Sequence, residues 1–105
     1  MDDRSVVARR LREARTRAGI SQKQLGIKAG VDEFSASQRI NQYERGKYMP
    51  DYATVERMAK VLRMPVPFFY TRDDDLAKVI LGFGRLSLKD RKRLVKALSA
   101  KHKTG

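Results

Sequence analysis

The chain has no cysteine, which excludes disulfide staples, thiolate metal sites and cysteine nucleophiles. Its one histidine, His102, leaves no material for a His-rich metal site or a serine–histidine pair. No apolar run approaches the roughly 18 residues that a membrane span requires. The opening Met1-Asp2-Asp3 is acidic, whereas a secretory leader begins with basic residues and continues into an apolar stretch. The carboxylate run Asp73-Asp74-Asp75 reads as the start of a helix, not as a metal site. These absences predict a soluble, cytoplasmic, non-enzymatic protein with no cofactor and no metal.

What the chain does have is positive charge. Its 105 residues carry 24 Lys+Arg against 12 Asp+Glu, a formal net charge of +12, with 41% hydrophobic residues. That composition describes a folded chain whose field draws nucleic acid phosphates and, less strongly, anionic membrane surfaces. The length suits one small domain with an appendage. Residues 1–70 hold 14 cations and 8 carboxylates, and residues 71–105 hold 10 and 4. Each part is therefore +6, and the shorter tail is about twice as densely basic.

Hydrophobic spacing predicts an all-α fold. Val7, Leu11, Ala14 and Ala18 recur at helical intervals before Gly19 stops the segment. Ser21 supplies an N-cap for a second helix that Gly30 ends. Ile40 and Tyr43 belong to a third helix, closed by Gly46. Pro50-Asp51 caps a fourth, whose stripe is Val55, Met58, Ala59 and Leu62. Pro65 and Pro67 bracket a turn, and Phe68, Phe69 and Tyr70 form a brief fifth helix closing the core. After the acidic triplet a sixth helix presents Leu76, Val79, Ile80 and Phe83, weakened at its end by Gly82 and Gly84. Ser87-Leu88-Lys89-Asp90 has the form of a capping box and opens a last helix to about Lys101. The architecture expected is a five-helix domain over 1–70 and a two-helix extension over 71–105.

The informative stretch runs from Ser21 to Gly46. Two helices crossing steeply need a small residue where their backbones approach, which Gly26 provides, and a turn residue tolerant of positive φ, which Gly30 provides. Leu25, Ala29, Val31 and Ile40 are then expected to pack inward against the first helix. With Arg15 and Gly19 ahead of Ser21-Gln22, then Leu25-Gly26, Ala29-Gly30-Val31, Ile40, Tyr43-Glu44, Gly46 and Pro50, the sequence resembles the XRE family of phage repressor and Cro type helix-turn-helix proteins. The resemblance covers about Val7 to Tyr70. It implies a sequence-specific duplex-DNA-binding regulator, acting as a repressor and binding as a two-fold homodimer. It also implies that Arg15 and Glu44 pair across the domain interior, and that Gln22 braces both a phosphate and the reading helix.

The sequence departs from the family pattern at one place. Nine positions separate Val31 from Ile40, where the family has about five. Keeping the family register would put Ala36 and Arg39 at core positions, and burying an unpaired arginine is costly. We therefore place a four-residue insertion within Asp32-Glu33-Phe34-Ser35-Ala36, either as one more turn of the reading helix or as a longer loop before it. Counted back from Ile40, the family's base-reading positions fall on Ser37, Gln38, Arg39, Asn41 and Gln42. Gln and Asn suit adenine, and Arg suits guanine, in the major groove. Lys23, Arg45, Lys47 and Tyr48 are further phosphate candidates, because helix starts and the loop after the reading helix face the DNA backbone. Tyr48 reads equally well as a half-buried turn aromatic.

The tail lies outside the family core. Its apolar residues Leu76, Val79, Ile80, Phe83, Leu94, Val95 and Leu98 suit either a homodimer contact or packing onto the chain's own domain. A second function class is an antitoxin-type interaction protein, whose extension holds a protein partner and whose DNA binding serves autoregulation. A membrane-surface role for the basic last helix is disfavoured because Arg91 interrupts its apolar stripe.

Overall fold

Four helix starts in this chain fall where a short polar side chain accepts from backbone amides that have no partner within the helix. A computed structural model describes residues 3–101. They form α1 (Asp3–Ala18), α2 (Gln22–Lys28), α3 (Ala36–Glu44), α4 (Tyr52–Leu62), a short 3₁₀ helix (Val66–Tyr70), α5 (Asp74–Arg85) and α6 (Leu88–Lys101), with no strand among the described residues. Residues 1 and 2 of the acidic opening, and His102, lie outside them. No helix is long and apolar enough to cross a membrane. The Ser21 hydroxyl accepts from the Gln24 backbone N–H at 3.0 Å, and the Gln24 side chain accepts from the Ser21 N–H at 2.8 Å. Asp51 accepts from Thr54, Asp73 from Asp75 and Leu76, and Ser87 from Asp90. All four starts agree with the sequence reading.

The core is built from the expected stripes. Leu11 and Ala14 of α1, Leu25 and Ala29, Ile40 and Tyr43 of α3, and Val55, Met58, Ala59 and Leu62 of α4 are buried together. Phe68 and Phe69 close it, their rings 5.3 Å apart and edge to face. The fifth helix of the sequence reading is the 3₁₀ helix, and Tyr70 at its end is exposed.

Three expectations need correction, and one alternative that the sequence left open is decided. Ala18 is exposed, because α1 runs past the core by its last turn and Ile20, beyond the reversal at Gly19, packs there instead. Val31 is only half-buried, since the chain leaves α2 into a long loop that carries it to the rim. The insertion lengthens that loop: residues 32–35 form a turn, and Ala36 already belongs to α3, where it is fully buried. In α5, Leu76 and Val79 are 51% and 55% exposed, while Ala77 is buried and Ile80 and Leu81 are partly so.

The rotation of α5 has an electrostatic cause. Arg10 is buried, with its guanidinium 5.3 Å from the centre of the Phe68 ring. It donates to the Thr71 carbonyl at 2.8 Å, the Arg72 carbonyl at 3.2 Å and the Asp74 carboxylate at 3.0 Å. Arg9 adds a bond to Asp74 at 2.9 Å and one to the Arg72 carbonyl at 3.0 Å. Asp74, Ala77 and Leu81 lie three and four residues apart, so anchoring Asp74 on α1 turns that face of α5 inward. The two arginines hold the Asp74 carboxyl below its usual range.

Beyond α5 the chain folds back on itself. Arg91 donates to the Phe83 and Gly84 carbonyls at 3.1 and 2.7 Å, capping the end of α5, and its guanidinium lies 5.4 Å from the Phe83 ring centre. The residue that seemed to break an apolar stripe thus ties the start of α6 to the end of α5. No residue of α6 is buried. The described chain measures 53 × 30 × 21 Å with a radius of gyration of 15.9 Å, against about 13 Å for a compact chain of this size.

Candidate nucleic-acid interface

The crossing of α2 and α3 depends on one missing methyl group. A Cβ built on Gly26 would stand 2.7 Å from the Ala36 Cβ, so only glycine allows this approach. Gly30, at φ +90°, makes the turn out of α2. Arg57 of α4 then donates to the Ala29 carbonyl at 2.9 Å, tying the end of α2 to the core.

A second set of contacts fixes the far end of α3. Glu44, whose side chain is 4% exposed, receives both the Nε–H of Arg15 and an Nη–H at 3.0 Å, in a two-pronged pair. Arg15 also donates to the Ile20 carbonyl at 3.0 Å, and the Glu44 carboxylate raises the Arg15 pKa. Gln22, at the start of α2, gives its amide hydrogens to Glu44 at 3.1 Å and to the Asn41 side-chain oxygen at 3.2 Å. These contacts fix the orientation of α3 about its own axis.

With 36, 40 and 43 turned inward, the outer face of α3 is polar. Ser37, Gln38 and Arg39 are exposed, and Asn41 and Gln42 are half-buried. A small recess of about 170 Å³ is bordered by Ser35, Gln38, Arg39 and Gln42. The structure thus brings the five base-reading candidates onto one continuous surface. Asn41 differs from the others in being held by Gln22.

The phosphate candidates flank that surface in two places. Lys23 stands exposed at the start of α2, and Arg45, Lys47 and Tyr48 are exposed after α3. The Lys47 ammonium lies 5.7 Å from the centre of the Tyr48 ring, which leaves the tyrosine 53% exposed rather than half-buried in the turn. Gln22 is different, because its two amide hydrogens are engaged inside the protein. In this arrangement it braces α3 and has no side-chain donor left for a phosphate. Among the described residues no group of His, Cys, Asp or Glu could hold a metal ion.

Sequence reasoning missed the Arg9–Arg10–Asp74 cluster, Arg57 and the inner role of Arg91. None has a spacing signal, since each reads as one more cation on a basic chain. Ala36, set aside with the register that would have buried Arg39, is buried all the same: it stands four residues before Ile40 and seven before Tyr43, in step with the buried stripe.

Two helices locked at a glycine crossing, the second presenting a polar outer face with cations beside it, define a helix-turn-helix unit. A family model described as "Helix-turn-helix domain" matches residues 6–67, and the chain belongs to this family, which is of the XRE and Cro-like type and is non-enzymatic. The chain is also similar to a solved structure titled "Crystal structure of transcriptional regulator BswR", at 45% identity and a TM-score of 0.81 over 89% of this chain and 92% of that one. No curated protein matches its sequence. The family and the neighbour together make this a DNA-binding regulator.

Proposed function

We propose that this protein represses transcription by occupying a two-fold operator as a homodimer, within the cytoplasm at the nucleoid. α3 enters the major groove, where Ser37, Gln38, Arg39, Asn41 and Gln42 meet base edges, the amides suiting adenine and the guanidinium guanine. Lys23, Arg45, Lys47 and Tyr48 hold backbone phosphates and set the register. Gln22 aims Asn41. The observation that carries this reading is the outer face of α3. The side chains of Ser37, Gln38, Arg39 and Gln42 make no hydrogen bond or ion pair within the described chain, while the side chains that orient the helix do.

The dimer reading is supported by the extension. A groove of about 470 Å³ bordered by Pro65, Pro67, Val79, Phe83, Leu94 and Leu98 lies open, and Val95 and Leu98 on α6 are 50% and 51% exposed. Apolar surface of this extent, beside a last helix with no buried residue, suits a second copy.

The test is selection from random duplex DNA, followed by sequencing, at two salt concentrations. The expected result is a short palindrome enriched at both, with half-sites about one helical turn, roughly 34 Å, apart. Gln38→Ala and Arg39→Ala should each lose about 1–3 kcal/mol and relax the preference at one base position. Binding that vanishes at the higher salt and enriches no sequence would leave only the phosphate attraction and overturn the proposal.

A further inference from the structure

Phe34 is 94% exposed, more than any other large apolar side chain among the described residues. Its backbone is nevertheless held. The Asp32 carboxylate accepts from the Phe34 N–H at 3.1 Å, and the Asp32 carbonyl accepts from the Ser35 N–H at 3.0 Å. The chain then runs straight into α3, where the Arg39 N–H bonds the Ser35 carbonyl at 2.8 Å. Phe34 thus stands in the turn two residues ahead of Ala36, where α3 begins, just before the exposed Ser37 and Gln38. The insertion therefore adds an aromatic ring at the leading end of the reading face.

Charge and groove chemistry decide what the ring meets. Residues 32–35 contribute two carboxylates and no cation, so a position against phosphates is disfavoured. The leading end of the second helix is the end that approaches base edges. In the major groove the apolar group displayed there is the C5 methyl of thymine. Resting on the DNA-reading function above, we propose that Phe34 is a specificity residue whose ring packs on a thymine methyl in each half-site.

The experiment uses the full chain on its selected operator, replacing each thymine in turn by deoxyuridine, which deletes only the methyl. Wild-type binding should weaken about fourfold, the value of one buried methyl-sized group, at one symmetry-related thymine per half-site. The penalty should vanish in Phe34→Ala and persist in part in Phe34→Leu. An exposed side chain leaves the thermal midpoint unchanged when removed, so the loss cannot be assigned to unfolding. The same deoxyuridine pattern in wild type and Phe34→Ala would overturn the inference. So would a Phe34→Ala loss that is equal on thymine and deoxyuridine duplexes and comes with reduced DNA bending, the mark of a wedge between base steps. An operator enriched but indifferent to Phe34 sinks this inference alone; no enriched operator sinks the DNA-reading function with it.

Discussion

Glu44 answers to two residues from separate helices, Arg15 and Gln22, and it is their joint hold that turns the neighbouring side chains of α3 outward. Removing Arg15 would strand a nearly buried carboxylate. Arg15→Ala should cost about 3–5 kcal/mol in chemical denaturation while leaving the selected DNA sequence unchanged. Arg15→Lys keeps the charge without the two-pronged geometry and should fall between. A folded Arg15→Ala protein with a shifted sequence preference would contradict this assignment. The partnership of positions 15 and 44 was legible through the family pattern. That Gln22 would spend both amide hydrogens inside the protein was not, because its type and place suit a phosphate equally well. Arg9, Arg10 and Arg12 show the same limit: they read alike in the sequence, yet only Arg10 is buried. Which of them turns inward is decided by where the Thr71 and Arg72 carbonyls arrive from about sixty residues away.

For elements, the closest constraint is the Gly26–Ala36 approach. Gly26→Ala gains about 1 kcal/mol of helix propensity but forces two methyl groups together, for a net loss of about 1–2 kcal/mol. Ala36→Gly in the same chain should recover part of that, and a double-mutant cycle by thermal denaturation would register the coupling. Helix starts respond to acid. Asp51 is held below its usual pKa by Thr54, and Asp74 by Arg9 and Arg10. Their contribution to stability is whole above the ordinary carboxylate range near 3.9 and drains away as pH falls through the lowered values. Thermal midpoints should thus decline from about pH 5 to about pH 2, and less steeply in Asp74→Asn. The starts of α2 and α4 and most of the stripes of α1 to α4 were legible because caps and periodicity are local, whereas α3 begins without a side-chain cap and its start was not. The face of α5 was not: apolar spacing favoured Leu76 and Val79, and a distant ion pair turned Ala77 inward instead.

Across the whole molecule, the last helix stands apart in having no buried residue. Val95→Lys together with Leu98→Lys places charge on surface that is already half exposed, so folding should be little affected. If the proposed dimer forms through this surface, sedimentation should report a dimer for the wild type and a monomer for the variant, with weakened operator binding; an unchanged dimer would place the contact elsewhere. The charge balance and helical class of the extension were plain in the sequence. Its attachment was not, because a division after Tyr70 passes through the bonds from Arg10 to Thr71, Arg72 and Asp74. That attachment bears on how far apart the two halves of an operator can lie. With α5 bolted to α1, the two reading heads of the proposed dimer form a caliper of set opening, not beads on a string. Moving the half-sites apart by about five base pairs, half a turn of duplex, would present one of them on the wrong side of the helix. Wild-type protein should then let go, whereas Asp74→Asn, with the bolt loosened, should discriminate less between the two spacings.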